Sequence, residues 1–216
     1  MRTFFRRSPA RRWSPLAAIG AAAALLMLSA TSAQAATLTF GYDASGSTHI
    51  ASTDSTVALG PTQLITTVDM TTGAFTGSME LPGSRSAFKV AGFVPVTADV
   101  SFEPVTPVSG TLTPHPEGGG HVVQASTSYD IRLSNIDIAG FPTFTGSHCR
   151  TIDPVAINLA TPADERFQLF SGGNVAGTYD IGDFENCGLN TWLINLLVPG
   201  DGNTLSFALS NGQVIP

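Results

Sequence analysis

Apolar and polar side chains alternate with a period of two along most of this chain, and no other feature constrains its fold as strongly. From Val123 to Leu133 the odd-numbered residues are mostly apolar and the even-numbered residues are polar. This period is typical of a β-strand that buries one face. Comparable runs recur over residues 37–42, 64–81, 88–102, 108–112, 155–159, 167–169, 175–181 and 205–209.

Two irregularities are predicted within these runs. A single straight strand over residues 88–102 would reach roughly 50 Å at about 3.3 Å per residue. We therefore expect a bend or break near Gly92–Pro95, where Pro95 cannot donate to a strand ladder. After Leu133 the apolar residues move to the even positions, as at Ile136, which predicts a β-bulge near Asn135.

One short helix is predicted near the C-terminus, over Asn190–Leu197. Asn190 or Thr191 could cap it, Pro199 follows its end, and Trp192 is expected in the core. With about nine to eleven half-buried strands, the fold class is all-β, as an antiparallel β-sandwich or a partly closed barrel. The charged residues are sparse, whereas Thr, Ser, Gly, Val and Pro are plentiful, and this composition also favours strands and turns.

Residues 1–35 have the features of a cleavable export signal. Five arginines precede an uncharged stretch rich in Ala and Leu, and the segment ends in Ala33-Gln34-Ala35. This small-x-small motif predicts cleavage between Ala35 and Ala36, which leaves a single secreted β domain over residues 36–216. The arginine pairs leave two export routes open, the general secretory route, which the context favours, and the twin-arginine route.

The charge of the predicted mature chain is strongly negative. Residues 36–216 contain five basic and 16 acidic residues, a net charge of −11. Nucleic acids and anionic membrane surfaces bind clustered Lys and Arg, so neither is an expected partner. No second long apolar segment follows residue 35, so no transmembrane anchor is expected in the mature chain.

Cys149 and Cys187 are the only cysteines of the chain. Two cysteines in an exported protein predict a disulfide bond, because the extracellular setting is oxidising. By the loop-entropy estimate, closing a loop of nearly forty residues stabilises the fold by about 4 kcal/mol.

Several groups of polar residues were considered as metal or catalytic sites. His115 and His121 share a Gly- and Pro-rich loop, but a zinc site needs three or four ligands. The acidic stretch before Cys187 and the later turn resemble calcium-binding loops, although their spacing does not fit the EF-hand template and Asp and Asn are ordinary turn residues. The residues concerned are Asp180, Asp183, Glu185, Asn186, Asp201 and Asn203. No cofactor and no metal are expected.

Two further patterns bear on catalysis. Ser86 and Lys89 match S-x-x-K, yet a strand sends residues three apart to opposite faces, so the match is interpreted as chance. His148 lies in the densest polar cluster of the chain, with Ser147 before it and Asp153 after it. A hydrolase site near His148 is therefore the alternative to a non-enzymatic role, and a disulfide-bearing turn is the favoured interpretation.

Several phrases of the mature chain resemble a group of secreted, β-rich proteins of high-GC Gram-positive, actinobacterial-type bacteria. They include Gly92–Val100, Ile131–Ile136, Ser147–Thr151, Gly177–Ile181 and Asn186–Gly188. The resemblance covers most of the mature chain and implies secretion, a β fold and paired cysteines. It implies no activity and no site residue.

Two classes of function are compatible with these sequence features. The favoured hypothesis is an extracellular or cell-envelope protein with a non-enzymatic binding or structural role. Its partner would be a cell-surface component or a small apolar ligand such as a lipid, because the apolar faces are long and closed sheets can enclose a cavity. The alternative is the secreted hydrolase. A carbohydrate-binding face is not favoured, since Tyr129 and Tyr179 fall on apolar faces.

Overall fold

A computed structural model describes residues 36–90, 93–146 and 148–216. Within these ranges the chain forms twelve strands and one short α-helix. The elements are β1 (Thr37–Ile50), β2 (Ser55–Asp69), β3 (Ala74–Met79), β4 (Ser84–Val90), β5 (Val94–Pro114), β6 (His121–Ile138), β7 (Phe141–Pro142), β8 (Arg150–Thr151), β9 (Val155–Ala160), β10 (Gly172–Ile181), β11 (Phe184–Glu185), α1 (Thr191–Leu197) and β12 (Gly200–Ile215). The predicted signal segment and Ala35 of its cleavage site lie outside the described residues.

The strands form one antiparallel sheet that closes on itself. Neighbouring strands follow the order β6-β9-β10-β12-β1-β2-β3-β5, and β5 pairs in turn with β6 along most of its length. The predicted fold class, an antiparallel all-β fold with one short C-terminal helix, is confirmed. The alternation of apolar and polar side chains explains the closure. When a sheet with one apolar face closes into a ring, that face lies on the inside and is buried there.

The ring is complete at one end and open at the other. On one edge of β5, Phe75–Gly77 of β3 pairs with Val108–Gly110, whereas β4 pairs with Val94–Val100. On the edge of β6 that faces away from β5, β9 pairs only with Gln124–Tyr129. Beyond these registers β6 and β10 are no longer bridged by β9, and this end of the ring is where α1 packs.

The predicted break between Gly92 and Pro95 is confirmed, as a complete reversal of the chain. Val90 pairs with Val94, so β4 and β5 are a hairpin. The separate strand predicted to begin at Val108 is instead the continuation of β5. Register shifts between Pro104 and Ser109 absorb the prolines there, because a bulge lets a ladder continue past residues that cannot donate to it.

The predicted bulge near Asn135 is also confirmed. Asn135 has a φ of 47°, and one residue of β5, Ala98, lies opposite two residues of β6, Asn135 and Ile136. Leu133 and Ile136 are therefore both buried, although they differ in parity. The bulge keeps the end of β6 facing the interior of the ring.

The core fills the interior of the ring with side chains from every long strand. Phe40 and Tyr42 of β1 are buried there, as are Tyr129 of β6 and Phe207 of β12. The hydroxyl of Tyr129 donates a hydrogen bond of 2.8 Å to the carbonyl of Met79. The predicted burial of Tyr129 and Tyr179 is confirmed.

The disulfide bond between Cys149 and Cys187 is present, as predicted, and both cysteines are buried. Cys149 directly precedes β8, and Cys187 precedes a turn of 3₁₀ helix, Gly188–Asn190, that leads into α1. The bond therefore ties the start of the helical segment to the strands beside β6. Over the described ranges, no helix has both the length and the apolar character needed to cross a lipid bilayer.

Candidate functional site: an apolar cavity beneath helix α1

A cavity of about 280 Å³ lies inside the open end of the ring. Alternating residues of β5 and β6 form one wall, and the ends of β1, β2, β4 and β10 form the other. Helix α1 covers it with Leu193, Ile194 and Leu197. The cavity lies beyond the end of the β6–β9 pairing, where the seven-residue helix covers the ring.

Most residues that line the cavity are aliphatic or aromatic, and the polar ones are uncharged, such as Thr53, Ser55 and Ser86. Val96, Ala98 and Ile131 are typical of its walls, and no Lys, Arg, His, Asp or Glu is among the described residues that line it. A second, narrow space of about 20 Å³ lies deeper in the ring and shares Phe102, Ile131, Thr48 and Tyr179 with the first. The apolar space thus continues towards the centre of the sheet.

A pair of hydroxyl groups is the main polar feature of the cavity floor. The Thr48 hydroxyl donates to the carbonyl of Thr204 at 2.9 Å and lies 2.6 Å from the Tyr179 hydroxyl. Because the Thr48 proton is already committed, Tyr179 donates to Thr48. The Tyr179 oxygen keeps its own lone pairs, so it can accept a hydrogen bond from a bound molecule but has no proton left to donate. Burial raises the pKa of Tyr179, which keeps the phenol neutral.

Polar side chains hold α1 over the cavity by bonding to the backbone. The amide of Asn195 accepts from the Phe184 nitrogen at 2.7 Å and donates to the Phe184 carbonyl at 3.0 Å. Asn190 donates to Thr145 at 3.2 Å, and Ser52 of the β1–β2 turn donates to the Val198 carbonyl at 2.7 Å. Together with the disulfide, these bonds fix both ends of the helix.

The helix itself agrees with the prediction, but the expected burial of Trp192 is wrong. Trp192 is 69% exposed, and Leu196 of the same helix and Leu189 of the preceding 3₁₀ turn are exposed as well. The inner face is formed by Leu193, Ile194 and Leu197 instead. Since α1 is apolar on both faces, the sequence pattern could not choose between them.

His148, the residue of the hydrolase hypothesis, lies on the surface next to the disulfide. Its imidazole makes no hydrogen bond or ion pair with another residue that the structure describes. Asp153 is exposed, and Ser147 is outside the described residues. This part of the chain does not provide the base-to-carboxylate contact on which a general base depends.

The candidate metal ligands are spread over separate parts of the fold. His115 and His121 flank the β5–β6 loop, where the His115 Nδ1 accepts from the Glu117 nitrogen. Asn203 is fully buried and bonds to backbone groups of Ala51, Tyr179 and Gly200. Across the described part of the chain, no group of three or more His, Cys, Asp or Glu residues is placed to hold a metal ion.

The remaining acidic and S-x-x-K candidates are separated by the sheet geometry. Asp180 accepts a hydrogen bond from the Gly202 nitrogen, and Glu185 pairs with Arg150 at 3.3 Å. Ser86 is buried and lines the cavity, whereas Lys89 is exposed on the opposite face of β4. The predicted placement of Ser86 and Lys89 on opposite faces of a strand is confirmed.

Sequence reasoning identified the apolar faces that line the cavity but not the cavity. The alternating residues of 88–102 and 131–138 were assigned to one face, and both line it. Their half-buried members, such as Phe88, Val100 and Ile138, pack against the core and also line the cavity. No family model, curated protein or solved structure matches the chain.

Proposed function

We propose that this protein is an extracellular or cell-envelope carrier that holds one uncharged, mostly apolar molecule, such as a neutral lipid, in the cavity beneath α1. The observation that carries the proposal is the cavity of about 280 Å³ with a charge-free, almost wholly apolar lining. Its volume is near the lower end of small-molecule sites, which span about 300–1,000 Å³. Three features support an extracellular or cell-envelope location: the signal-like residues 1–35, the disulfide bond and the resemblance to secreted proteins.

Energetics favours an occupied cavity. Side chains that surround a space of about 280 Å³ lack the van der Waals contacts that a packed core would give them, and this lowers the stability of the fold. An apolar space of this kind does not hold water well, because water needs two to four polar partners. A bound apolar molecule relieves this cost.

The polar groups on the floor restrict the chemistry of the ligand. A carboxylate or phosphate inside the cavity would have no cation to pair with, and burial of an unpaired charge is strongly unfavourable. The Tyr179 oxygen, by contrast, can accept one hydrogen bond. The cavity therefore suits an uncharged molecule with at most a small polar group such as a hydroxyl, and it disfavours a fatty acid anion.

The direct test is native mass spectrometry on protein isolated from its own host, before and after solvent extraction. We expect an added mass that solvent removes. The extracted protein is then titrated with 1-decanol and with decanoate, and decanol should bind at least tenfold more tightly, since only the anion must lose its charge or its hydration.

A matched pair of variants places the binding in the cavity. Ala98 is buried and lines the cavity, whereas Ala87, on the neighbouring strand, is exposed on the outer face. Ala98→Leu should raise the Kd for decanol at least tenfold by occupying the space, and Ala87→Leu should leave it unchanged. A bare polypeptide from the host, no binding of decanol, or equal effects of the two variants would each refute the carrier.

A further inference from the structure

The end of the molecule that contains the cavity also carries a cluster of exposed apolar side chains, which we name the apolar rim. Phe144 is 90% exposed and Leu196 is 70% exposed. The apolar rim consists of Phe93, Phe141, Phe144, Leu189, Trp192 and Leu196.

Backbone contacts bring the segments of the apolar rim together. Phe93 sits at the β4–β5 reversal, and the following Pro95 carbonyl accepts from the Ala139 nitrogen at 2.8 Å. Phe141 pairs with Ile138 at the end of β6. The segment then runs on through Phe144 to Thr145, which accepts the hydrogen bond from Asn190 at the start of α1.

The same segments reach the cavity from its covered end. Val94 follows Phe93, Ile138 pairs with Phe141, and Leu193 and Leu197 alternate with Trp192 and Leu196 on α1. These four neighbours all line the cavity. The apolar rim is thus the outward continuation of the lining, so an apolar molecule could pass between them without crossing a charged surface.

Charge is absent from every segment that supplies the apolar rim. The sequence has no charged residue and no histidine over 90–98, 138–147 or 186–200. These segments are bounded by Lys89 and Asp99, by Asp137 and His148, and by Glu185 and Asp201. In a mature chain with five basic and 16 acidic residues, so large a neutral area points to a partner surface that is itself apolar or uncharged.

The polar side chains of helix α1 and of the residue before it form hydrogen bonds within the protein. Asn190 bonds to Thr145, Thr191 donates to the Gly188 carbonyl at 3.0 Å, and Asn195 bonds to Phe184. The remaining residues of the helix are apolar on both faces, which is typical of a helix covered on both sides. The cavity side of α1 is covered, and Trp192 and Leu196 mark the uncovered side.

We propose that the apolar rim docks onto the surface of an electrically neutral lipid bilayer, and, given the proposed carrier function, that the cavity exchanges its ligand with that bilayer. Trp, Phe and Leu side chains insert favourably at the boundary between headgroups and acyl chains. The net charge of −11 repels anionic lipids, so zwitterionic phosphatidylcholine is the preferred surface.

Trp192 is a built-in probe for this docking. The chain has two tryptophans, and the other, Trp13, lies in the predicted signal segment. Protein isolated from its host, with its N-terminus determined by mass spectrometry, is mixed with phosphatidylcholine vesicles that carry bromine on the acyl chains. We expect a blue shift and quenching of Trp192 emission, flotation of the protein with the vesicles, and weaker flotation when half of the lipid is phosphatidylglycerol.

Matched phenylalanine variants test the location. Phe144→Ser should lower the partition coefficient by about tenfold, because one buried aromatic side chain is lost from the bilayer. Phe170→Ser is the control, since Phe170 is 68% exposed but lies in the turn before β10, near Leu169, at the opposite end of the sheet.

The outcomes separate this proposal from the carrier function. Unchanged Trp192 emission and no flotation, with decanol still bound, would overturn the docking and leave the carrier in place. Flotation that is sensitive to Phe144→Ser, without any binding of decanol, would support the docking and refute the carrier. A concentration-dependent dimer that Phe144→Ser dissociates would show that a second copy covers the rim, and would overturn docking to a bilayer.

Discussion

The three tyrosines of the chain are all buried, and each has its hydroxyl in a specific hydrogen bond. Tyr42 donates to the Leu169 carbonyl at 2.9 Å, Tyr129 to the Met79 carbonyl, and Tyr179 to Thr48. Burial raises the pKa of Tyr42 to about 12 and raises the pKa of Tyr129 and Tyr179 as well. The folded state therefore holds these protons more tightly than the unfolded chain does.

These pKa shifts predict a loss of stability in strong alkali. An unfolded tyrosine has a pKa of about 10, so the contribution of the tyrosines is fully present below about pH 10 and falls as the pH rises towards about 12. The ultraviolet absorbance of tyrosinate should stay low in the folded protein above pH 10 and rise together with unfolding, followed by circular dichroism. Tyrosinate that forms near pH 10 while the fold persists would contradict this prediction.

At the scale of elements, the disulfide and helix α1 act as one unit. Cys187 is joined to the 3₁₀ turn that begins the helical segment, and Asn195 ties the helix to β11. Loss of the disulfide frees a loop with a sequence separation of 38 residues. The double variant Cys149→Ser, Cys187→Ser should therefore lower the free energy of unfolding by about 4 kcal/mol.

Chemical denaturation of the double variant and the parent protein measures this change. The cover of the cavity should loosen in parallel, so decanol should dissociate faster from the double variant. A loss of stability below about 1 kcal/mol would show that β8, β11 and Asn195 hold the segment without the covalent bond.

The elements also show where sequence reasoning succeeds and fails. The bulge at Asn135 was predictable because alternation reports the face of each side chain, and a shift of parity has one simple cause. The continuity of β5 past Pro104 could not be predicted from the sequence. A proline that ends a strand and a proline accommodated by a bulge leave the same local pattern of residues. The exposure of Trp192 could not be predicted, because α1 has no polar stripe that would mark its solvent-facing side.

At the scale of the whole molecule, closure of the sheet depends on pairings that no local pattern encodes. The ring is sealed by β5 with β6 and by β12 with β1, and the open end follows from the shortness of β9. The alternation of apolar and polar residues predicted which side chains face inward. Whether side chains from opposite walls touch depends on the distance between those walls. The strand topology therefore determines that a cavity forms, and the sequence pattern determines that its lining is apolar.

This topology predicts that ligand and fold stabilise one another. Solvent extraction should lower the melting temperature of the protein isolated from its host, because the emptied cavity no longer gains contacts from a bound molecule. Adding back 1-decanol should restore stability, and above the Kd each tenfold rise in free decanol should add about 1.4 kcal/mol to the free energy of unfolding. Ala98→Leu should melt higher than the extracted parent and respond less to decanol, because leucine fills part of the space. If extraction leaves the melting temperature unchanged while decanol still binds, the ring is already rigid without a ligand, and the energetic argument for an occupied cavity is wrong.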